Sequence, residues 1–322
     1  MFTSKDIETK TIFVINCIKE KNLRVQSGEL LLEEPEEKKT LTKLPFQKIL
    51  ALFIIGHIRV TTPLIDKCKR FNVALIVVNT NFRPIFYWFN SAEANFLLRQ
   101  KQHLFDMDDI SIAKILISNK IENQLSILKK TKRKDPLTTN ATITCLNALS
   151  AIMSANDYKQ LMGMEGICSK HFFEAFFQDL NWSGRKPRIK SDCTNAALDI
   201  GYTILFNYME CFLRMYGFDL YIGVFHRNWF KRKSLVCDIM EPFRCIIDRT
   251  IRTSFNKKVF SEKDFIITKG TYRLRIDMNS KYSKTFFDAL IKYKNEVFKY
   301  VQSYYRCFMQ NKKTSNYPTF HI

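Results

Sequence analysis

The spacing of apolar residues changes period near residue 90, and that change puts two kinds of architecture in one chain. Before it, apolar runs are short, β-branched or uninterrupted: Thr11 to Ile15, Leu23 to Gln26, Glu29 to Leu32, Ile49 to Val60, Val73 to Val78 and Ile85 to Phe89. Such runs predict strands. Ser27-Gly28 closes a hairpin, Asn79-Thr80-Asn81 turns the chain, and Thr62-Pro63 supplies an N-cap and a first-turn proline for a short helix through Arg70. Glu33, Glu34, Glu36 and Glu37 around Pro35 read as a solvated acidic loop. After Ser91 the period is helical, as in Phe96, Leu97, Gln100, Leu104 and Ile112, Ile115, Leu116, Asn119. Helices are expected over 92–105, 108–130, 138–155, 157–179, 194–216 with Gly217 as its stop, 234–256 and 284–310. The expected fold class is α+β: a small N-terminal β-domain over 1–90, then a larger all-helical domain over 91–322.

Charge narrows the class of partner. The 322 residues carry 51 Lys+Arg against 31 Asp+Glu, a net +20, which predicts attraction to phosphate backbones or an anionic surface. Residues 91–322 hold 37 basic and 22 acidic side chains, so the polyanion-binding face is expected on the helical part. With 46% hydrophobic and 14% aromatic residues, only 9 Gly and 8 Pro, the chain is neither disordered nor of low complexity. The longest apolar run, Ile49 to Gly56, falls far below the roughly 18 residues of a spanning helix, and Ser4, Lys5, Asp6 and Glu8 interrupt any signal core. The expectation is a cytoplasmic protein away from membranes. Nine cysteines form no Cys-x-x-Cys pair and read as reduced core residues. Lys129, Lys130, Lys132, Arg133 and Lys134 form a basic loop. Two further clusters, Arg185, Lys186, Arg188, Lys190 and Arg227, Lys231, Arg232, Lys233 with Arg244, are candidate DNA contacts. Trp182 and Trp229 lie within them, as core residues or as stacking platforms.

Chemistry concentrates in three segments. In Leu161 to Ile167, Glu165 stands among apolar side chains and needs a cation or basic partner. Leu220 to Phe225 is an apolar approach to His226. Ser234 to Arg244 places Asp238 and Glu241 three apart on one helical face opened by Ser234, and Pro242 bends the helix at those carboxylates. Carboxylates with an imidazole suit Mg²⁺ or Mn²⁺ better than zinc. The competing reading makes Asp238, Glu241 and Arg244 an ion-paired helix face and His226 a satisfied core histidine.

The order and spacing of Met164-Glu165-Gly166, Lys190-Ser191-Asp192, Asn195 to Leu198, Gly201-Tyr202, Leu220 to His226, Ser234 to Val236, Asp238, Glu241, Phe243-Arg244 and Asp248-Arg249 resemble the CRISPR adaptation integrases, the Cas1 endonuclease family. Asn95, Leu98-Arg99 and Gln102 extend the likeness more weakly. The resemblance implies an N-terminal β-rich dimerisation domain and an α-helical, metal-dependent catalytic and DNA-binding domain. It makes Glu165, His226 and Glu241 the ligands of Mg²⁺ or Mn²⁺, with Asp238 the supporting acid. The implied reaction inserts short duplexes into a CRISPR array by 3′-hydroxyl attack on a phosphodiester; the double-stranded DNA partners are the spacer precursor and the repeat. Implied protein partners are a second copy, a Cas2 dimer bridging two such homodimers and, from a faint similarity to integrases of type V systems, the Cas4 nuclease. The chain departs from the family at 228–233, where Trp229-Phe230-Lys231-Arg232-Lys233 replaces a Gly- or Pro-rich stretch, and at Phe172, where a hydroxyl is common. No Gly-x-x-x-x-Gly-Lys-Ser/Thr occurs, in keeping with a reaction that needs no nucleotide cofactor. The rival reading is a non-catalytic, basic DNA-binding scaffold; a membrane-surface protein would need an amphipathic or lipidated anchor that the sequence lacks.

Overall fold

The computed structural model describes residues 3–18, 21–34, 39–89, 94–180, 182–227 and 229–322. The expected boundary at 90/91, the loop residues Pro35, Glu36 and Glu37, and Asn228 lie outside these.

In the first 88 residues the order is α1 (Ser4–Thr9), β1 (Thr11–Cys17), β2 (Asn22–Gln26), β3 (Glu29–Glu34), β4 (Lys39–Pro45), β5 (Ile49–Gly56), α2 (Thr62–Phe71), β6 (Ala74–Val78) and β7 (Pro84–Trp88). One sheet has the order β1-β5-β6-β7, with β1, β5 and β6 parallel and β7 antiparallel at the edge. The other is the antiparallel meander β2-β3-β4. All of β5 is buried, which explains the unbroken apolar run: Ala51, Phe53 and Ile55 face the helices that follow, while Leu52 and Ile54 face a smaller core with Leu64 and Cys68 of α2. Phe53 meets Phe287 at 4.9 Å between ring centres and thereby ties this sheet to the helical part. Ser27 and Gly28 have φ of +49° and +82°, the twisted two-residue turn expected between β2 and β3. Several details differ from the sequence reading: β4 and α1 were not anticipated, the run from Ile49 to Val60 is strand only as far as Gly56, Glu33 and Glu34 belong to β3, and α2 is preceded by Thr61 without a side-chain cap.

The remaining elements are α3 (Phe96–His103), α4 (Ser111–Lys129), α5 (Pro136–Ala151), α6 (Tyr158–Phe176), α7 (Cys193–Tyr216), α8 (Ser234–Met240), α9 (Arg244–Asn256), β8 (Phe265–Thr268), β9 (Thr271–Leu274), α10 (Asn279–Ile291) and α11 (Lys294–Met309). The 24-residue α7 is the central helix, buried on nearly every side and packed against α8 to α11. It stops at Gly217, whose φ of +81° suits glycine. Gly201 lets α9 approach, since a Cβ there would stand 2.5 Å from Ile247. The expected all-helical second part is corrected by the β8–β9 hairpin, turned by Lys269 and Gly270 at φ +50° and +70°. The expected helix 284–310 is two helices, α10 and α11, meeting at Lys292-Tyr293. Among the described residues no helix is long and apolar enough to cross a membrane, and seven of the nine cysteines are buried free thiols.

Candidate active site

The site begins with polar side chains on α3 and at its N-cap. Asn95 donates to Tyr216 O and Arg99 to Gly217 O, occupying carbonyls left open at the end of α7. Gln102 donates to Asp219 O and accepts from Asp219 N, fixing the segment that leads to His226.

That segment then closes on Asp238. One Asp238 oxygen accepts from Val224 N at 2.7 Å and Phe225 N at 3.0 Å; the other accepts from His226 N at 2.9 Å and lies 2.5 Å from His226 Nδ1. Gly223 is required by this closeness, because a Cβ there would fall 2.4 Å from Asp238 Oδ2. Asp238 is fully buried, so its charge serves the loop and the imidazole rather than solvent. With Nδ1 facing the carboxylate, His226 Nε2 makes no hydrogen bond among the described residues and is presented as a ligand or acceptor.

Pro242 shapes the next turn as the sequence predicts. The helix over 234–256 is interrupted by a 3₁₀ turn at Glu241–Phe243, and the Asp238 carbonyl takes the N–H of Glu241 instead of the donor Pro242 lacks. Ser234 is not an N-cap; its hydroxyl donates to Arg227 O at 3.3 Å. The turn aims Glu241 inward, 4% exposed, with Oε1 2.9 Å from Arg244 and Oε2 2.7 Å from Lys120 Nζ. Oε2 is buried, and Lys120 is its ion-pair partner.

Glu165, on α6, pairs with the same Lys120 ammonium and accepts from Ser169 Oγ at 2.8 Å. The structure thus brings Glu165 and Glu241 to one cation, and His226 and Asp238 to each other. Burial pushes the Glu241 carboxyl up, but Arg244, Lys120 and His226 outweigh it and hold its pKa at about 2. Burial and Lys120 oppose each other in the same way at Glu165, with a net lowering; burial works against the Lys120 charge, and the two carboxylates prevail and raise its pKa. Behind Arg244, Asp248 is raised to about 7 by burial, against the Tyr202 hydroxyl that donates to it at 2.5 Å and against Arg244.

Lys120 was missed by the sequence reading. Its signal is the four-residue spacing Leu116, Lys120, Gln124, which sets a lysine on a buried face of α4. Among the described residues no three His, Cys, Asp or Glu side chains already converge as a ligand set. The donor types nevertheless suit a hard divalent ion: two carboxylates that already share one cation, and a His226 Nε2 that makes no hydrogen bond among the described residues.

The candidate DNA-binding cations separate into two groups. Arg185 pairs with Asp199 at 2.8 Å, Lys233 with Glu210 at 2.7 Å, Arg227 with Asp108 at 2.9 Å, and Arg244 with Glu241. Lys186, Arg188, Lys231 and Arg232 are exposed, and Lys190 is half-buried. In the basic loop after α4, Arg133 pairs with Asp179 and Lys130 donates to Ile322 O. The two tryptophans diverge: Trp182 packs on Phe177 at 5.3 Å, while Trp229 is 77% exposed beside Phe230 at 82%. Phe172 is fully buried and stacks on Phe176 in an aromatic core.

The family model for the CRISPR associated protein Cas1 matches residues 17–290. The chain belongs to the Cas1 family. Among curated Cas1 relatives, it is 28% identical over 234 residues to CRISPR-associated endonuclease Cas1 1 of Thermodesulfovibrio yellowstonii, covering 69% of this chain and 74% of the relative. It is also 28% identical over 314 residues to a CRISPR-associated exonuclease Cas4/endonuclease Cas1 fusion of Leptospira interrogans, covering 88% of this chain and 56% of the fusion. Two solved structures share the Cas1 fold. The Cas6-RT-Cas1–Cas2 complex matches at TM-score 0.77 and 19% identity over 97% of this chain and 36% of that one. A casposase bound to its integration product matches at 0.76 and 19% over 94% and 92%.

Proposed function

We propose that this Cas1-family chain is a metal-dependent DNA endonuclease and integrase that inserts short duplexes into a CRISPR array. The observation that carries the reading is the meeting of Glu165 and Glu241 at one cation position, with His226, whose Nδ1 is engaged by Asp238, near enough to act electrostatically on Glu241. In the reaction a 3′-hydroxyl oxygen of the incoming DNA forms a bond to phosphorus as the bond to the leaving 3′-oxygen of the repeat breaks, exchanging one phosphodiester for another. A Mg²⁺ or Mn²⁺ ion held by Glu165, His226 Nε2 and Glu241 would polarise the phosphoryl oxygen and stabilise the attacking and leaving oxygens.

The protein's own residues prepare that chemistry. Asp238 keeps a proton on Nδ1 of His226 and leaves Nε2 free, while its other contacts lock the 224–226 backbone. Arg244 keeps Glu241 ionised. Water in place of the 3′-hydroxyl would give hydrolysis of branched or single-stranded DNA.

The assembly belongs to the same reading. Residues 1–90 serve as a dimerisation domain, residues 91–322 as the catalytic and DNA-binding domain, and two homodimers are bridged by a Cas2 dimer. The Cas2-containing structural relative and the Cas4/Cas1 fusion support Cas2 and Cas4 as partners. The test is integration of a short duplex with free 3′-hydroxyls into a repeat-bearing supercoiled plasmid, with Mg²⁺, Mn²⁺ or EDTA and with or without Cas2. Covalent joining that requires the metal is expected; DNA binding with no joining under any of these conditions would favour the scaffold.

A further inference from the structure

The position between Glu165 and Glu241 holds a side chain of the protein itself. Lys120, 9% exposed at its side chain, projects from α4 to meet Glu165 of α6 and Glu241 of the 3₁₀ turn. Three separate elements thus converge on one ammonium, which binds carboxylate oxygens as a hard divalent ion does, with half the charge. Without a cation there, two largely buried carboxylates would face each other and repel. The surroundings allow the ammonium to leave. Glu241 would keep Arg244 at 2.9 Å, and Glu165 would keep the Ser169 hydroxyl at 2.8 Å, so neither carboxylate is abandoned. Glu165 also retains 19% side-chain exposure, so the cluster opens on that side.

We propose that Lys120 is a built-in competitor of the divalent metal: its ammonium holds Glu165 and Glu241 together in the metal-free protein, and metal binding requires its withdrawal. Lys120 is then a positioning residue that preserves the ligand geometry while setting the metal concentration at which the site fills. The inference rests on the metal-dependent reading above. A purely structural lysine and a competing one make opposite predictions, because removing structural support weakens metal capture whereas removing a competitor strengthens it.

The experiment uses the full-length parent, Lys120→Met and Lys120→Arg, with free Mn²⁺ followed by electron paramagnetic resonance and melting temperature measured in EDTA and in Mn²⁺. Lys120→Met should melt below the parent in EDTA, gain more from Mn²⁺ than the parent gains, and bind Mn²⁺ about tenfold tighter. Lys120→Arg, which keeps the charge, should bind Mn²⁺ no better than the parent. Mn²⁺ affinity equal to or weaker than the parent's in a folded Lys120→Met overturns the proposal. Should Lys120→Met not fold, acylation of Lys120 in the parent, read by mass spectrometry, decides the matter: Mn²⁺ should accelerate it, and no acceleration refutes withdrawal. If the parent binds no Mn²⁺ at all, the metal-dependent reading itself fails; if it binds and Lys120 does not respond, only this inference fails.

Discussion

Asp238 and Glu241 follow the loop of residues 229–232 closely in sequence, yet their carboxylate cluster and that loop handle charge and apolar surface in opposite ways. In the cluster each buried charge is met: Asp238 by three backbone N–H groups and a ring, Glu241 by Arg244 and Lys120, Glu165 by Lys120 and Ser169. In the loop Trp229 and Phe230 stand 77% and 82% exposed, and Lys231 lies 5.1 Å from the Phe230 ring. Burial makes an unpaired charge costly, so the interior is organised by electrostatics; the loop's exposed aromatics and cations instead form the kind of surface on which unpaired bases stack.

The sharpest break in the comparison is on catalysis. Glu165→Ala, His226→Ala and Glu241→Ala should each lower Mn²⁺-dependent strand transfer by about 1,000-fold, matching the several kcal/mol a metal contributes to the barrier. Glu241→Ala should still bind a branched integration intermediate in EDTA at least as tightly as the parent, because a negative charge beside phosphate is gone. Parallel loss of binding and joining, with a normal melting curve, would show that the cluster organises a DNA surface and would favour the scaffold.

Asp238→Ala attacks the cluster through stability. It orphans three backbone N–H groups and the imidazole, so a loss of about 2–5 kcal/mol is expected in urea unfolding. A loss below about 0.5 kcal/mol would mean that the 224–226 backbone is held by something other than this carboxylate.

A pH effect comes next. The folded pKa of Asp248, about 7, lies above its ordinary value of 3.8, so the folded state holds a proton that the unfolded chain has released. Its contribution is therefore greatest on the acid side and is lost as pH rises from about 4 to 7. Glu241, with a folded pKa of about 2 below its ordinary 4.5, acts oppositely and only at lower pH, its contribution disappearing as pH falls through that range. Melting curves between pH 5 and 7 should show a decline in the parent that is shallower in Asp248→Asn; identical slopes would contradict the assignment.

Smaller effects are expected on the exposed side. Replacing Trp229 and Phe230 by Ala should weaken binding of single-stranded DNA about tenfold and change stability by no more than ~0.5 kcal/mol. A drop in melting temperature without a change in binding would make the loop structural and erase the contrast with the cluster. Converting Lys186 and Arg188 to Gln should reduce the log-log salt slope of duplex binding by about 1.8, at ~0.9 per phosphate contact, measured from 50 to 200 mM salt. Arg185→Gln should instead cost stability, since that guanidinium is tied to Asp199.

The architecture was legible wherever burial leaves a one-dimensional pattern. β5 reads as an apolar run because both of its faces are covered, α7 ends where Gly217 permits a left-handed turn, and Pro242 breaks the 234–256 helix where its missing N–H requires. The β8–β9 hairpin carried its own signal, Lys269-Gly270 after Ile266-Ile267-Thr268, and was overlooked beside the longer helical periodicity. The break between α10 and α11 falls where apolar spacing continues across Lys292-Tyr293, so periodicity alone could not locate it.

By itself the sequence determined the strand-then-helix order, the basic surplus and the chemical types of Glu165, His226, Asp238 and Glu241, because periodicity, charge and residue identity are local properties. Only the tertiary structure decided which of those groups meet. Lys120 precedes Glu165 by 45 positions and Glu241 by 121, and no spacing rule acts over such separations. Trp182 and Trp229 each lie next to a basic run in sequence, yet one is packed against Phe177 and the other exposed, because burial depends on what the fold brings from elsewhere in the chain.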